Sequence, residues 1–192
     1  MMHILFALAT AAATPAMAPV ASTPCVVMGA DAAALAKRTS VLDSLEFKVG
    51  TSTVKVCYGA PLLKGRKMVG AAAVPYGKLW RTGANEPTMI HTSGAIMVGD
   101  LMLQPGSYSL YTVPGEKSWE LILNKSITQW GHESGYNDKV KEMEVGRTTV
   151  KAESNATPVE RMTFTAAAGP KSTTALTLTW DGAKVVIPVM AH

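Results

Sequence analysis

The chain has 192 residues, of which 47% are hydrophobic and 17% are charged, and its formal net charge is +4. This length and composition fit one globular domain with an extension, and they exclude an intrinsically disordered chain. The 18 basic residues are scattered and form no run of five or six. Because nucleic-acid binders gather their positive charge on one face, the sequence argues against nucleic acid as a partner.

The first 22 residues have the pattern of an export signal. Residues 4–13 form an apolar run of signal-peptide length, and the AMA triplet that ends at Ala18 has the small residues of a cleavage site. Pro19 disfavours cleavage there, so the VAS triplet at residues 20–22 is an alternative site. The run is shorter than the ~20 apolar residues of a membrane-spanning helix. The sequence therefore predicts an exported protein, periplasmic or envelope-associated, without a transmembrane span in the mature chain.

Two cysteines, Cys25 and Cys57, leave three states open. In an exported chain they can pair in a disulfide. Cys25 can also carry a lipid anchor, although residues 22–24 match the sequence before a lipidated cysteine poorly. The third state, two unpaired thiols with one in a tail and one on a strand, is the default interpretation.

Period-two alternation of apolar and polar residues begins near residue 45 and indicates a β protein. Residues 23–44 before it are predicted to be a linker or a marginal helix, because an Ala-rich stretch there has helical propensity but no evident cap. Gly-Asp and Pro-Gly pairs then mark tight turns between short strands. The last strands are predicted at residues 147–152, 159–166, 175–180 and 184–189, with Asp181-Gly182 as a hairpin turn between the last two.

About nine or ten short strands and no long helix predict an all-β fold, an antiparallel β-sandwich. The sandwich is expected to be a single domain over residues 45–192. One long ordered loop, residues 59–87, interrupts the strands and is rich in Gly, Pro, Arg, Lys and aromatic residues.

Segments in and around this loop resemble a known family. YGAP at residues 58–61, WRTGANE at residues 80–86 and PGSYSLYT at residues 105–112 follow one another at fixed distances. On these segments the chain resembles the bacterial family catalogued as domain of unknown function 2911, over roughly residues 38–189. The resemblance implies a β-sandwich-like domain in an exported or envelope protein. It implies no established activity, so it assigns no catalytic residue.

Three catalytic or binding motifs are present only in part, because each lacks a required residue. A phosphate-binding loop needs Ser or Thr after the GK pair at residues 77–78, where Leu79 stands. The HE pair at residues 132–133 has Tyr136 where a zinc protease has its second His. The GHESG segment at residues 131–135 lacks Ser at the middle position of a nucleophile elbow. The sequence therefore predicts neither a metal site nor a cofactor.

Polar and aromatic side chains of the long loop are the candidate ligand-binding residues. Arg offers a planar fork for a carboxylate or phosphate, Asn and Glu can orient a ligand or a water, and Trp can stack on a ring. The alternative is that these side chains anchor the loop, with Arg81 and Glu86 as an internal ion pair, Asn85 capping a turn and Trp80 filling the end of the sandwich. The candidates are Arg66, Tyr76, Lys78, Trp80, Arg81, Asn85 and Glu86.

The leading functional hypothesis is an exported binding or interaction module. Its partner would be a small polar ligand or a segment of an envelope protein, held by the loop. The alternative is an envelope enzyme of the hydrolase type, with Glu86 as acid or base and Arg81 and Asn85 stabilising charge. That enzyme would need Glu86 partly buried in an open cleft with a raised pKa.

Overall fold

The computed structural model describes residues 23–27 and 31–192, and strands dominate it. The export signal predicted for residues 1–22 lies outside the described residues. In the described part of the chain, no helix has the length and apolar character needed to cross a membrane.

Nine strands within the described residues form one antiparallel sheet in the order β1-β2-β3-β6-β7-β8-β9-β4-β5. In chain order, these strands are β1 Val41–Val49, β2 Ser52–Ala60, β3 Thr88–Thr92, β4 Ile96–Val98, β5 Leu101–Leu103, β6 Gly106–Val113, β7 Ser118–Asn124, β8 Glu144–Ala168 and β9 Thr173–Ala191. The short helices are α1 Ala32–Ala36 and α2 Asp138–Lys141, with a 3-10 turn at Glu133–Gly135. The all-β class, the antiparallel pairing and the number of strands predicted from the sequence are confirmed.

The last two strands differ from the prediction, because they are long and continuous. β8 has 25 residues and β9 has 19, so the predicted break inside β8 and the predicted hairpin turn at Asp181-Gly182 are both wrong. Asp181 does take a turn-like conformation, with φ of 54°. Its Oδ2 accepts backbone N–H bonds from Met68 at 2.8 Å and Val69 at 3.1 Å. The Asp-Gly pair therefore makes an irregularity within β9, where the register to β8 shifts, and the strand continues.

β8 also explains how one sheet encloses a core. Its first part pairs with β7 and its later part pairs with β9, so the sheet continues from one half of the molecule into the other. Side chains of the two halves meet in a single apolar cluster. Tyr58 of β2 packs edge-on against Phe164 of β8, with ring centroids 4.9 Å apart. The two halves of this continuous sheet thus pack against each other as the layers of a sandwich do.

Alternation along β2 assigns its two faces. Val54, Val56 and Tyr58 belong to the apolar cluster, whereas Lys55 and Cys57 lie on the opposite face. This opposite face of β2 is not open to solvent, since Cys57 is buried. We call the described residues before β1, 23–27 and 31–40, the N-terminal segment.

Cys25 and Cys57 form a disulfide that joins the N-terminal segment to β2. The default interpretation of two unpaired thiols is therefore wrong. A second contact holds the same segment, because Lys55 Nζ donates a hydrogen bond to the backbone oxygen of Thr23 at 2.9 Å. Further along, α1 has a capping side chain that the sequence did not suggest: Asp31 accepts a hydrogen bond from the Ala34 N–H at 2.8 Å.

Candidate functional site

Residues 61–87 connect β2 to β3 and divide into two parts that differ in burial. We call residues 61–79 the outer half, because most of its residues from 64 onward are exposed. We call residues 80–87 the inner half, because all of its residues are buried or half-buried. The seven candidate residues are divided between the two halves, with three in the outer half and four in the inner half.

Trp80 begins the inner half and lies in the core, with 4% of its surface exposed. Its ring stacks on Trp180 of β9 at a centroid distance of 5.7 Å and meets Trp119 of β7 edge-on at 5.8 Å. Its backbone exchanges two hydrogen bonds with Thr112 of β6, at 2.8 and 2.9 Å. Trp80 therefore joins both halves of the sheet and fixes the start of the inner half.

Glu86 is buried at the end of the inner half and pairs with Arg38 of the N-terminal segment. The pair is bidentate, with Nη1–Oε2 at 2.7 Å and Nη2–Oε1 at 2.9 Å. The hydrogen bond to Glu86 raises the pKa of the Arg38 guanidinium. Glu86 lines neither of the two cavities described below. The geometry is that of an ion pair that holds the loop against the N-terminal segment.

Arg81 and Asn85 also bind outside the loop. Arg81 Nη1 contacts the carboxylate of Glu133 at 3.0 and 3.3 Å. Asn85 Nδ2 donates to the backbone oxygen of Ser40 at 3.2 Å, and Asn85 has a left-handed φ of 65°, which Asn tolerates better than most residues. The predicted ion pair between Arg81 and Glu86 is therefore wrong. Each of the two residues pairs instead with a residue far away in the sequence, Arg81 with Glu133 and Glu86 with Arg38.

Gly131 allows the segment that carries Glu133 to lie directly on the inner half. A Cβ atom at this position would approach Arg81 Cδ to 2.6 Å and would collide with the backbone oxygen of Asn85. This close approach explains why a glycine occupies the position.

The outer half carries the other three candidates. Arg66 donates from Nε to the Leu63 backbone oxygen at 3.0 Å and from Nη2 to the Leu62 oxygen at 3.4 Å. Tyr76 is 43% exposed, and its ring lies so close to Gly70 that a Cβ atom there would be 2.6 Å from Tyr76 Cζ. Lys78 is exposed and lines neither cavity.

A cleft of about 620 Å³ lies between the outer half and the irregular middle of β8 and β9. We call it the Tyr76 cleft. Arg66 and Tyr76 line it, so the structure brings two of the seven candidates to this site. Its apolar surface is formed by Leu63, Val69, Trp119, Ala152 and Ala183.

Carboxylates outnumber cations around the Tyr76 cleft. Among the described residues, the charged side chains that line it are Arg66, Lys67, Glu116, Glu153, Glu160 and Asp181. The Lys184 ammonium, 3.4 Å away, keeps the pKa of Glu153 below its usual value. Glu160 Oε1 accepts the Lys64 backbone N–H at 2.9 Å. The cleft therefore presents acceptors on its rim and an aromatic ring at its edge.

Sequence reasoning missed the acidic residues and Trp119, because they come from three separate segments. No short-range pattern links them, and only the folding of β8 and β9 over the loop places them together. Within the described residues, no group of three or more His, Cys, Asp or Glu side chains is placed to hold a metal ion.

The family model described as Protein of unknown function (DUF2911) matches residues 40–189. The match confirms the resemblance carried by the WRTGANE and PGSYSLYT segments. No curated protein and no solved structure matches the chain.

Proposed function

The chain belongs to the DUF2911 family, and from the geometry of its site we propose that it is an exported binding module for a small polar ligand. The ligand site is the Tyr76 cleft. The observation that carries the proposal is the cleft itself, whose volume of about 620 Å³ lies within the range of small-molecule sites. An exposed aromatic ring, an apolar surface and a polar rim are the parts that such sites combine.

The lining favours a ligand with one apolar or ring face and several hydrogen-bond donors. Tyr76 offers its exposed ring to the apolar face, as aromatic side chains at binding sites do. Glu116, Glu153 and Glu160 offer carboxylate oxygens, which accept hydrogen bonds from hydroxyl or amino groups. Small amines, sugars and dipeptides meet this description.

Export is part of the proposal and is supported by two features of the chain. Residues 1–22 have the pattern of an export signal. The Cys25–Cys57 disulfide suits an oxidising compartment, since cytosolic thiols are kept reduced. The hydrolase alternative has less support, because Glu86 is buried in an ion pair with Arg38 and lines neither described cavity.

The experiment is a binding screen followed by two variants. Small amines, sugars and dipeptides are screened against the ¹⁵N-labelled wild type by NMR, with Trp119 as the reporter of the cleft. Hits are then measured with Tyr76→Ser and Glu116→Gln. We expect each replacement to weaken binding at least about five-fold, the effect of removing one contact of roughly 1 kcal/mol.

Trp130→Ser is the matched control. Trp130 is 47% exposed, about as much as Tyr76, but it does not line the cleft. The control is expected to bind every hit like the wild type. Equal weakening by all three replacements, or hits whose affinity neither cleft variant changes, would contradict the proposed site. Turnover of ester, amide or glycoside substrates by the wild type would contradict a purely binding role.

A further inference from the structure

A second and smaller cavity, of about 220 Å³, lies beneath the inner half. We call it the Arg81 pocket. Arg66, Trp80, Arg81 and Trp180 are among its lining residues. It shares only Arg66 with the Tyr76 cleft among the described residues, so it is a separate site.

Two hydrogen-bond donors of the pocket-lining residues are buried without an acceptor. Arg81 Nε and Trp180 Nε1 have no hydrogen-bond partner among the described residues. Trp180 is 1% exposed, and Nε1 is its one polar side-chain atom. Buried donors are nearly always satisfied in folded proteins, so two of them on residues that line the same cavity point to an acceptor that comes from outside the chain.

The charged side chains that line the pocket are positive, which favours a negatively charged acceptor. Two arginines line it, and none of the described lining residues is Asp or Glu. Hydrogen bonds of Arg66 go to the backbone oxygens of Leu63 and Leu62, so in the described structure no carboxylate neutralises its charge.

Two carboxylates next to pocket-lining residues already have partners, and one of them is paired with Arg81 itself. Glu133 binds Arg81 through Nη1 and leaves Nε without a partner. Asp181, which follows Trp180 in the chain, directs Oδ2 to the backbone N–H groups of Met68 and Val69. Neither Glu133 nor Asp181 lines the Arg81 pocket.

We propose that the Arg81 pocket binds an oxyanion, the carboxylate or phosphate group of a small ligand. The Nε–H of Arg81 and the Nε1–H of Trp180 donate to its oxygens, and Arg66 supplies positive charge. A cavity of about 220 Å³ holds a single anionic group with a few atoms attached, whereas typical small-molecule sites begin at roughly 300 Å³.

The test uses the indole N–H signals of the ¹⁵N-labelled full chain, which has four tryptophans. The signal that disappears in Trp180→Phe identifies Trp180. Sodium acetate, sodium phosphate and neutral N-methylacetamide are then titrated separately at constant ionic strength, with sodium chloride as the balancing salt. We expect acetate or phosphate to move the Trp180 signal to saturation, and the tighter of the two identifies the oxyanion class.

Variants assign the donors. Arg66→Gln is expected to weaken the anion about ten-fold, as loss of one charge-assisted hydrogen bond does. Arg81→Lys keeps the charge but removes Nε–H, and a similar loss is expected. Lys64→Gln is the matched control, because Lys64 is exposed and lines neither the Tyr76 cleft nor the pocket. It is expected to leave the anion affinity unchanged.

Three results would overturn the proposal. One is a Trp180 signal that neither anion moves. Another is a shift that chloride reproduces at equal ionic strength, and the third is equal binding of N-methylacetamide. The cleft is tested with its own ligands and with Tyr76→Ser and Glu116→Gln, so failure at the pocket and failure at the cleft are read separately.

Discussion

The outer and inner halves of the 61–87 loop follow each other in sequence but contact different surroundings. Arg66 and Tyr76 in the outer half line the Tyr76 cleft, and the hydrogen bonds of Arg66 stay within the loop. Arg81 and Glu86 in the inner half are paired with residues from distant segments. The comparison teaches that the polar residues of one family segment differ in their contacts: Arg81 and Glu86 anchor the loop, whereas Arg66 and Tyr76 line the proposed ligand cleft.

The largest loss of stability is expected when the inner half loses its main anchor. Arg38→Ala leaves the buried carboxylate of Glu86 without its bidentate partner. Breaking a buried ion pair from one side typically costs about 3–5 kcal/mol of unfolding free energy. Urea denaturation measures the loss. The double replacement Arg38→Leu with Glu86→Leu removes both charges and is expected to be less destabilised than Arg38→Ala. The reverse order would contradict the assigned role.

A smaller loss of stability is expected when the disulfide between the N-terminal segment and β2 is removed. Cys25→Ser with Cys57→Ser removes a disulfide that joins residues 32 positions apart. Disulfides of this kind contribute about 2–4 kcal/mol, largely by restricting the unfolded chain. Thermal unfolding with and without dithiothreitol measures the effect. The reductant should lower the melting temperature of the wild type and leave that of the double variant unchanged. Equal responses of the two proteins would argue against the disulfide.

A pH-dependent contribution to stability is expected from His91, which pairs in register with Lys55 of β2. Burial, together with the charge of Lys55, lowers the pKa of His91 from its ordinary value of 6.5. Below pH 6.5 the unfolded chain therefore takes up a proton that the folded chain does not. The free energy of unfolding should therefore decrease as the pH is lowered below 6.5, by at most about 1.4 kcal/mol per pH unit from this group.

His91→Gln removes this titration, so its unfolding free energy should depend less on pH between 5.5 and 6.5. His132→Gln, at an exposed histidine, is the control and should keep the wild-type dependence. Denaturant unfolding at several pH values measures both. Identical slopes for His91→Gln and the wild type would show that His91 does not contribute.

The smallest effect is expected in the outer half. Tyr76→Ser removes an exposed ring whose described close contact is with Gly70. Surface replacements usually change stability by less than about 0.5 kcal/mol. The same urea denaturation used for Arg38→Ala measures it. A loss comparable to that of Arg38→Ala would abolish the distinction between the two halves.

The sequence predicted the class of fold because alternation and turn pairs are local properties. Val54, Val56 and Tyr58 alternate with residues of the opposite face, and this pattern needs no knowledge of distant segments. The course of β9 through Asp181 was not predictable in the same way. Its carboxylate is held by the N–H groups of Met68 and Val69, which are 113 and 112 residues away. A local Asp-Gly pair predicts a turn, and the distant contact makes it a strand irregularity.

The sequence identified the loop that carries the candidate residues, but it did not predict the partners of their side chains. Composition identified the loop, and the ligand-binding role of its seven residues stays a prediction. Glu86 lies 48 residues from Arg38, and Arg81 lies 52 residues from Glu133. Pairings at such separations depend on how the strands are ordered in the sheet. The carboxylates of the Tyr76 cleft were missed for the same reason.

The position of β9 in the sheet also determines when the domain can be completed during translation. Ile96 at the start of β4 pairs with Ala191 at the end of β9, and β8 pairs with β9 along most of its second part. The ribosome therefore releases the β4–β5 hairpin long before β9, the neighbour of β4 in the sheet, exists, whereas β8 is followed by β9 after a short turn. The hydrogen-bonding edge of β4 stays open until then, and pairings between such distant segments form slowly. Nascent chains of this protein are expected to need protection from edge-to-edge association until β9 has emerged.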